Sequence, residues 1–227
     1  MKVSIVIPAY RPAALLEGCL RGIIDNTNLS DIEIIVVCNG SDIESAQLVV
    51  NLGEPFKLVW CRDAIGFTKA TNMGLKLATG DYVIIMNTDA HLLNYYDKDA
   101  WLNKLIEPFK DSKIGIAGVG IMWTEFGMFL PFFCTAIRRS LFDEIGILDE
   151  RFSPGYSEDA DFCYRAVKAG HNIVQVDNIH VNENNPAMSV TDFPIHHMGE
   201  QSFVDKTERL AHIEKNYALL KEKWTKK

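Results

Sequence analysis

The chain of 227 residues is long enough for one large domain with a sizeable core, and with 48% apolar residues it reads as globular rather than disordered. A net charge of −7 argues against a nucleic-acid partner, and no apolar run approaches the roughly 20 residues of a membrane span. The opening MKVSIVIPAY carries one lysine and leads straight into a strand-like run, too short for a signal peptide. Cys19, Cys38, Cys61, Cys134 and Cys163 are scattered and lack CxxC spacing, so they read as reduced core thiols of a cytoplasmic protein, not as a disulfide frame or a zinc site.

The first part of the chain alternates. Val3 to Ile7 is a strand, and Ala13 to Ile24 has Leu15, Leu16, Cys19, Leu20 and Ile23 at helical spacing. Ile32 to Cys38 is a buried strand bounded by Asn39-Gly40-Ser41, with a helix to about Val50. A third strand (Phe56 to Cys61), a helix (Phe67 to Ala78) and a fourth strand (Tyr82 to Met86) follow. Such alternation predicts an α/β fold with a parallel sheet and right-handed crossovers, and ligands in such sheets bind beyond the carboxyl ends of the strands. Further on, Ala100 to Phe109 reads as helix and Ile114 to Ile121 as a Gly-spaced strand. Met122 to Phe133 is rich in aromatics, and Ala136 to Ile145 reads as a strand end with a short helix. Glu158 to Ala169 is a helix closed by Gly170. Strand-like segments lie at Ile173–Val176 and Phe193–His196. A last helix, about Phe203 to Trp224, puts Leu210, Ile213, Tyr217, Leu220 and Trp224 on one stripe. No repeat or linker composition divides the chain, and one domain is the simplest reading.

The expected strand tips are polar: Pro8-Ala9-Tyr10, Asn39-Gly40-Ser41, Arg62-Asp63 and Asn87-Thr88-Asp89, with His91 just beyond the last. GxGxxG, GxxxxGK[ST] and GxSxG are all absent, which speaks against a dinucleotide fold, P-loop chemistry and an α/β-hydrolase. Asn87-Thr88-Asp89 has two readings, a turn or a carboxylate that holds a metal ion against a phosphate. An acidic protein handling an anionic substrate wants a metal between them, and oxygen ligands with an imidazole suit Mg²⁺ or Mn²⁺. A second acidic constellation, Glu158, Asp159 and Asp161, stands at the start of a helix. It serves either to cap that helix or as general-base machinery, and three acids in four residues exceed what capping needs.

In order along the chain, VSIVIPAY, IIVVCNGSD, GFTKATNMGLKLATGDYVIIMNTD, AIRRSLFDEIGILDERFSPGYSEDADFCYRAVKAG and HHMGEQSF resemble the motifs of the family-2 inverting glycosyltransferases of the GT-A fold. Bacterial polysaccharide and rhamnosyl-type members are nearest in pattern. The resemblance runs from Val3 to about Phe203. It implies a Rossmann-like GT-A domain with a mainly parallel sheet: a nucleotide-binding half to about residue 90, an acceptor half to about 202 and a C-terminal helix over 203–227. It also implies hexosyl or deoxyhexosyl transfer, with inversion, from a nucleoside-diphosphate sugar (UDP or dTDP foremost) to a hydroxyl of a glycan or lipid-linked acceptor.

By match, Asp89 is the metal ligand of the DxD-type motif, in its N-x-D form through Asn87, and His197 is the late ligand, with His196 and His180 as alternatives. Mn²⁺ or Mg²⁺ is the implied cofactor. Pro8, Ala9, Tyr10, Asn39, Asp63, Gly66, Lys69, Asn72, Asn87 and Thr88 match nucleotide-sugar contacts; Tyr10 reads equally as a core aromatic and Lys69 as a solvated surface lysine. Cys38 stands where the family usually carries Asp, so specificity for uridine is not implied. Asp159 matches the general base, Glu158 an acceptor-binding partner, and Asp161 with Arg165 a structural pair. Trp123 and Phe133 lie in the stretch where the family contacts acceptors, and read equally as a core loop. Lys221, Lys223, Lys226 and Lys227 give the last helix a basic end fit for peripheral contact with the inner face of a membrane; the helix stripe reads equally as cover for the core or a homodimer face. The chain is short for the family, which implies a partner glycosyltransferase or a second copy. Two other readings compete. A nucleotidyltransferase wants a Gly/Arg/Lys-rich loop where this chain has PAYRPAALL, and a non-catalytic carbohydrate- or nucleotide-binding protein of the same fold has no need of the Asp89, Asp159 and His197 set.

Overall fold

In the computed structural model, which describes residues 1–10, 12–40, 42–93, 97–177, 179–180, 190–199 and 205–225, the apolar runs become strands and the periodic segments helices. The first half comprises β1 (Val3–Ala9), α1 (Ala13–Asn26), β2 (Ile32–Asn39), α2 (Ile43–Leu52), β3 (Phe56–Cys61), α3 (Phe67–Leu77), β4 (Tyr82–Met86) and β5 (Ala90–Leu92). The second comprises α4 (Ala100–Ile106), β6 (Ile114–Gly118), β7 (Met122–Thr124), β8 (Gly127–Phe129), β9 (Cys134–Arg138), α5 (Arg139–Ile145), α6 (Glu158–Lys168), β10 (Asn172–Gln175), β11 (Ile179–His180), β12 (Val190–Thr191), β13 (Ile195–His197) and α7 (Lys206–Thr225).

Seven strands form the central sheet in the order β10-β6-β9-β4-β1-β2-β3. Every residue of β1 and β2 is buried, as strands covered on both faces must be. Ile5 and Ile7 of β1 point with Ile34, Val36 and Ile84 toward α1, α2 and α4, where Leu16, Leu20 and Trp101 meet them. Val6 points the other way, with Ile35, Val37, Val83 and Ile85, toward α3, α5, α6 and α7. The strand order runs outward from β1 through β2 to β3, then returns to place β4 on the other side of β1. That reversal opens a crevice beyond the carboxyl ends of β1 and β4, where Tyr10 and Asn87 begin.

One strand departs from the parallel expectation. β9 runs antiparallel to both β4 and β6. Antiparallel neighbours need no crossover helix. The chain leaves β6 at the carboxyl edge, makes the β7–β8 hairpin there, and enters β9 from that same edge. Residues 119–133 therefore stay beside the crevice, and the register Met86↔Cys134 sets Phe133 opposite Asn87.

The last helix starts at Lys206, and its expected start at Phe203 falls outside the described residues. Its buried face also differs from the predicted stripe. Leu210 is 45% exposed, whereas Asn216 and Leu220 are fully buried. Two of the four lysines expected to form its basic end are held in ion pairs: Lys221 with Glu125 at 3.1 Å, and Lys223 with Asp149 at 2.8 Å and Asp161 at 2.7 Å. Lys226 and Lys227 lie outside the described residues. Among the described residues no helix is long and apolar enough to cross a membrane.

The opposite edge of the sheet is fastened by one carboxylate. Glu33, buried on β2, accepts hydrogen bonds from Ser4 Oγ at 2.5 Å, Lys57 Nζ at 2.8 Å, and the Thr79 N–H and hydroxyl at 2.7 and 2.8 Å. Four chain segments thus meet on one side chain. Burial pushes the Glu33 carboxyl up, but the bonds from Lys57, Ser4 and Thr79 outweigh it and hold it at about 2. A carboxyl held below its unfolded value contributes stability above that value and loses it as pH falls toward 2. Glu33→Gln is expected to cost about 1–3 kcal/mol at pH 7 in urea unfolding. The gap to the parent should close between pH 4.5 and about 2; a pH-independent gap would show that charge is not what Glu33 supplies.

Candidate active site

At the tip of β4 the apolar run meets the edge and the chain turns. Ala90 N–H returns to Asn87 O at 3.2 Å, and β5 then pairs with β13. That pairing sets His197 across from Ala90 and lets Met198 N–H reach Asp89 O at 3.0 Å. His197 Nε2 lies 3.4 Å from Asp89 Oδ1. Of the candidate histidines, His197 is the one brought to Asp89. His196 sits opposite His91 and is exposed, and the side chain of His180 is outside the described residues. His91 turns to α1 instead, with Nε2 3.1 Å from Thr88 O and 3.3 Å from Leu15 O. It fits because residue 18 is glycine: a Cβ there would stand 2.6 Å from the imidazole.

Asp89 and Thr88 are buried, and Asn87 Oδ1 is buried without a hydrogen-bond partner. The turn reading of Asn87-Thr88-Asp89 accounts for the backbone but not for that orphaned amide oxygen. Among the described residues no group of three or more His, Cys, Asp or Glu could enclose a metal ion. One carboxylate and one imidazole still fit a hard divalent cation such as Mn²⁺ or Mg²⁺ that takes its remaining ligands from substrate phosphate and water.

Phe133 joins this corner to the next. Its ring stacks on His197 with centroids 4.1 Å apart and planes 5° from parallel, and its carbonyl accepts from Asn87 N–H at 3.0 Å. An acceptor contact was expected of Phe133; here its ring face is occupied by the imidazole. The backbone N–H of its neighbour Phe132 lies close enough to the carboxylate of Asp159 to favour its ionised form. Two consecutive residues thus link the Asp89–His197 pair to the acids of α6. Trp123, also expected at the acceptor side, is 69% exposed on the β7–β8 hairpin.

The acids of α6 divide into two roles. Asp161 is fully buried and structural: its carboxylate takes Arg165 Nε at 3.0 Å, Trp224 Nε1 at 3.0 Å and Lys223 Nζ at 2.7 Å. Arg165 extends this tie to the carbonyls of Ile145 and Ile147. Glu158 and Asp159 face the other way. Asp159 is half-buried, and Ala160 N–H reaches its Oδ1 at 2.8 Å. Burial pushes the Asp159 carboxyl from 3.8 up to about 6, against the opposite pull of the N–H groups of Ala160, Asp159 and Phe132. Burial first, and then the charge of Asp159, push the Glu158 carboxyl well above its ordinary value, and Glu158 Oε2 has no hydrogen-bond partner. Helix capping explains only the bond from Ala160. Just before the pair, Tyr156 and Ser157 hold left-handed backbone at φ 77° and 71°, a strained conformation for residues with side chains.

On the nucleotide side, Pro8 and Ala9 are buried, and Tyr10 is half-buried at the end of β1. Asp63 and Lys69 are exposed. Asn39 is buried, and its Oδ1 accepts from Ile65 N–H at 2.7 Å, so its acceptor fixes the loop after β3. Gly66 opens α3 at φ 86°, and a Cβ there would stand 2.6 Å from Pro154 Cα, so the loop before α6 lies directly on the start of α3. Asn72 needs correction. It was expected to contact the nucleotide, but it is fully engaged inside the fold. Its Nδ2 donates to Leu148 O at 2.9 Å and Glu150 Oε1 at 3.1 Å, and its Oδ1 accepts from Leu148 N–H at 3.1 Å. The reading of the cysteines as core thiols agrees with their setting: four are buried, and burial with the nearby charge of Asp89 pushes the Cys19 thiol up to about 12.

The model of the family described as "Glycosyl transferase family 2" matches residues 4–130. The chain belongs to this family. An uncharacterized glycosyltransferase of Bacillus subtilis, EpsJ, is 29% identical over 127 residues, 52% of this chain and 33% of that protein. A PGL/p-HBAD biosynthesis glycosyltransferase of Mycobacterium tuberculosis is 36% identical over 94 residues, 39% of this chain and 36% of that one. The chain therefore spans about a third of the length of these relatives. Among solved structures, a mannosyltransferase of Pyrobaculum calidifontis in complex with GDP-Man and Mn²⁺ superposes with a TM-score of 0.64 at 18% identity, over 77% of this chain and 54% of that one. Residues 1–349 of S. aureus TarS superpose with a TM-score of 0.58 at 20% identity, over 78% of this chain and 59% of that one. The fold of this family-2 chain is GT-A.

Four features escaped sequence reasoning: the Phe132–Phe133 link, the left-handed Tyr156–Ser157 pair, the Asn72 latch and the buried Asn216. Only Asn216 left a signal, standing one helical turn before Leu220 on the covered face. The latch can be tested. Asn72→Ala should lower stability by about 1–3 kcal/mol, because both polar groups of Leu148 lose their partner. Its unfolding midpoint in urea should fall while nucleotide affinity stays near the parent value; weakened binding at unchanged stability would restore Asn72 to the nucleotide site.

Proposed function

We propose that this chain transfers a sugar, with inversion and with the help of a divalent cation, from a nucleoside-diphosphate sugar to a hydroxyl of a glycan or lipid-linked acceptor, with Asp159 as general base. The observation that carries the proposal is the Phe132–Phe133 link. It brings near one another a half-buried carboxyl that burial raises to about 6 and an Asp–His pair suited to a diphosphate-bound cation. Inverting transfer needs those two functions on opposite faces of one sugar ring.

Asp89 and His197 would hold Mn²⁺ or Mg²⁺. When bound, the cation neutralises charge on the departing diphosphate. Mn²⁺ is present in the Pyrobaculum mannosyltransferase complex, which supports the choice of cofactor. Pro8, Ala9, Tyr10, Asp63, Gly66, Lys69, Asn87 and Thr88 stand around the crevice as the nucleotide-sugar contacts, with UDP and dTDP donors first in line and GDP donors to be tested beside them. Asp159 takes the proton of the acceptor hydroxyl as that oxygen attacks the anomeric carbon. The negative charge of the pair is favoured on Asp159, because burial and that charge push Glu158 well above its ordinary value, toward its protonated form. The protonated Glu158 carboxyl can also bond an acceptor hydroxyl, and the exposed face of Trp123 suits the C–H surface of a sugar ring. We place residues up to about 90 as the nucleotide half, 91–202 as the acceptor half and the rest as the C-terminal helix of one domain.

Isothermal titration of UDP, dTDP and GDP with Mn²⁺ and then with EDTA tests the donor side. One nucleotide should bind only with metal, and Asp89→Ala should abolish it; binding of none would move the chain to the non-catalytic reading. The base carries its own signature. Ionised Asp159 is the active form, so kcat/KM should rise with pH and level off above about 6. Asp159→Asn should keep nucleotide affinity and lose transfer by about 10²–10⁴-fold. A carboxyl raised in the folded state binds its proton more tightly there than in the unfolded chain, so it lowers stability as pH climbs from 3.8 to about 6. The inactive Asp159→Asn variant should therefore melt no lower than the parent at pH 7; retained turnover would reassign the base.

A further inference from the structure

The loop that delivers Glu158 and Asp159 is held from two directions. On the α3 side, Pro154 O accepts the Phe67 N–H, and Ser153 Oγ donates to Ile65 O at 3.0 Å. On the α7 side stands Asn216, fully buried, with Nδ2 donating to Phe152 O at 2.6 Å and to Gly155 O at 2.7 Å. Only the NH₂ of an amide can serve two carbonyls at once, which fixes the orientation of the side chain. Its Oδ1 is buried without a partner. A buried acceptor left unpaired lowers stability, and an apolar residue at this position would avoid that loss. The gain must lie in the two carbonyls. They bound the segment from Phe152 to Gly155, and the residues immediately after it are the left-handed Tyr156 and Ser157, then the acids. Strained backbone of this kind persists only where its surroundings over-determine it.

We infer that Asn216 is a positioning residue for the reaction: by clamping both ends of the Phe152–Gly155 segment from α7, it keeps Tyr156 and Ser157 left-handed and Asp159 aimed into the site. The inference rests on the reading of Asp159 as general base. It gives α7 a part in the chemistry that its distance along the sequence from the site motifs does not suggest. The Asp161 ties to Lys223 and Trp224 anchor the far end of the same helix, so the clamp is seated on a fixed support.

The test compares Asn216→Ala with Leu220→Ala, a core truncation on the same helix that leaves both carbonyl bonds in place. Asn216→Ser, which keeps one donor, serves where the alanine variant does not fold. The first readout is the carboxyl NMR titration of Asp159, which needs no substrate. The parent midpoint near 6 should fall by about one unit in Asn216→Ala, by less in Asn216→Ser, and stay in place in Leu220→Ala. The second is release of nucleoside diphosphate from UDP-, dTDP- and GDP-sugars. Here kcat should drop by up to about 10²-fold in Asn216→Ala while affinity for the nucleotide with Mn²⁺ holds. An unshifted Asp159 titration in the Asn216 variants overturns the inference, as does an equal shift in Leu220→Ala, which would reduce the effect to general loosening. A parent protein that releases no nucleoside diphosphate counts against the transfer reading, and is told apart from failure of the clamp by the titration.

Discussion

The pairing of β9 against β4 is the constraint from which the rest of the site follows. Because β9 runs antiparallel, its first residue lies at the carboxyl edge, where β4 ends, and the register Met86↔Cys134 leaves no freedom in what precedes it. Phe133 must then face Asn87, and Phe132 must face the start of α6. A parallel strand in this place would enter from the far edge and bring a crossover helix with it. The crevice would keep its β4 tip, but nothing would connect that tip to the acids. His197 depends on the same arrangement, since it lies against the ring of Phe133 while β13 pairs with β5.

Two neighbouring carboxyls at the start of α6 differ in environment, and the difference assigns their roles. Burial raises both, but Asp159 receives backbone N–H groups that favour its ionised form, including the one from Phe132. Glu158 also feels the charge of Asp159. The pair therefore loses its first proton from Asp159, at a pH close to neutrality, with no cationic side chain among the described residues shifting it. Asp161, two residues on, shows what a cationic partner does instead: with Arg165, Lys223 and Trp224 around it, it serves as an internal tie and has no surface left for substrate.

The strands and helices of the first half could be read from sequence almost residue by residue because β1, β2 and β4 are buried on both faces, and such strands show themselves as unbroken apolar runs between turn residues. Asn87-Thr88-Asp89 and the α6 acids stood out for a related reason, since charge and amide groups at the ends of apolar elements are conspicuous. The antiparallel sense of β9 was not legible, because direction within a sheet leaves no mark on a five-residue apolar strand. Asn72 was misleading in the same way: an asparagine among site motifs looks like a ligand contact whether its amide points into the crevice or into the fold. What decides is where Leu148 comes to lie, and that is settled by tertiary contacts. The left-handed Tyr156 and Ser157 were invisible for the opposite reason, since the sequence places ordinary residues where glycine would have announced the conformation.

The match to the family model ends at residue 130, two residues before Phe132. Asp89 and the β1–β4 crevice lie inside it, while the Phe132–Phe133 link, Asp159, His197 and the α7 contacts lie beyond. The division agrees with the physical one. A nucleoside diphosphate demands much the same strand tips and cation site whatever sugar it carries, whereas the base must be aimed by whatever packs around a particular acceptor. In this chain Asp159, the proposed base, has neighbours in three directions at once: the N–H of Phe132, the start of α3 through Pro154, and α7 through Asn216. A carboxyl packed from three sides can stay half-buried with its titration raised to about 6, as the proposed base requires, while Trp123 on the hairpin stays exposed.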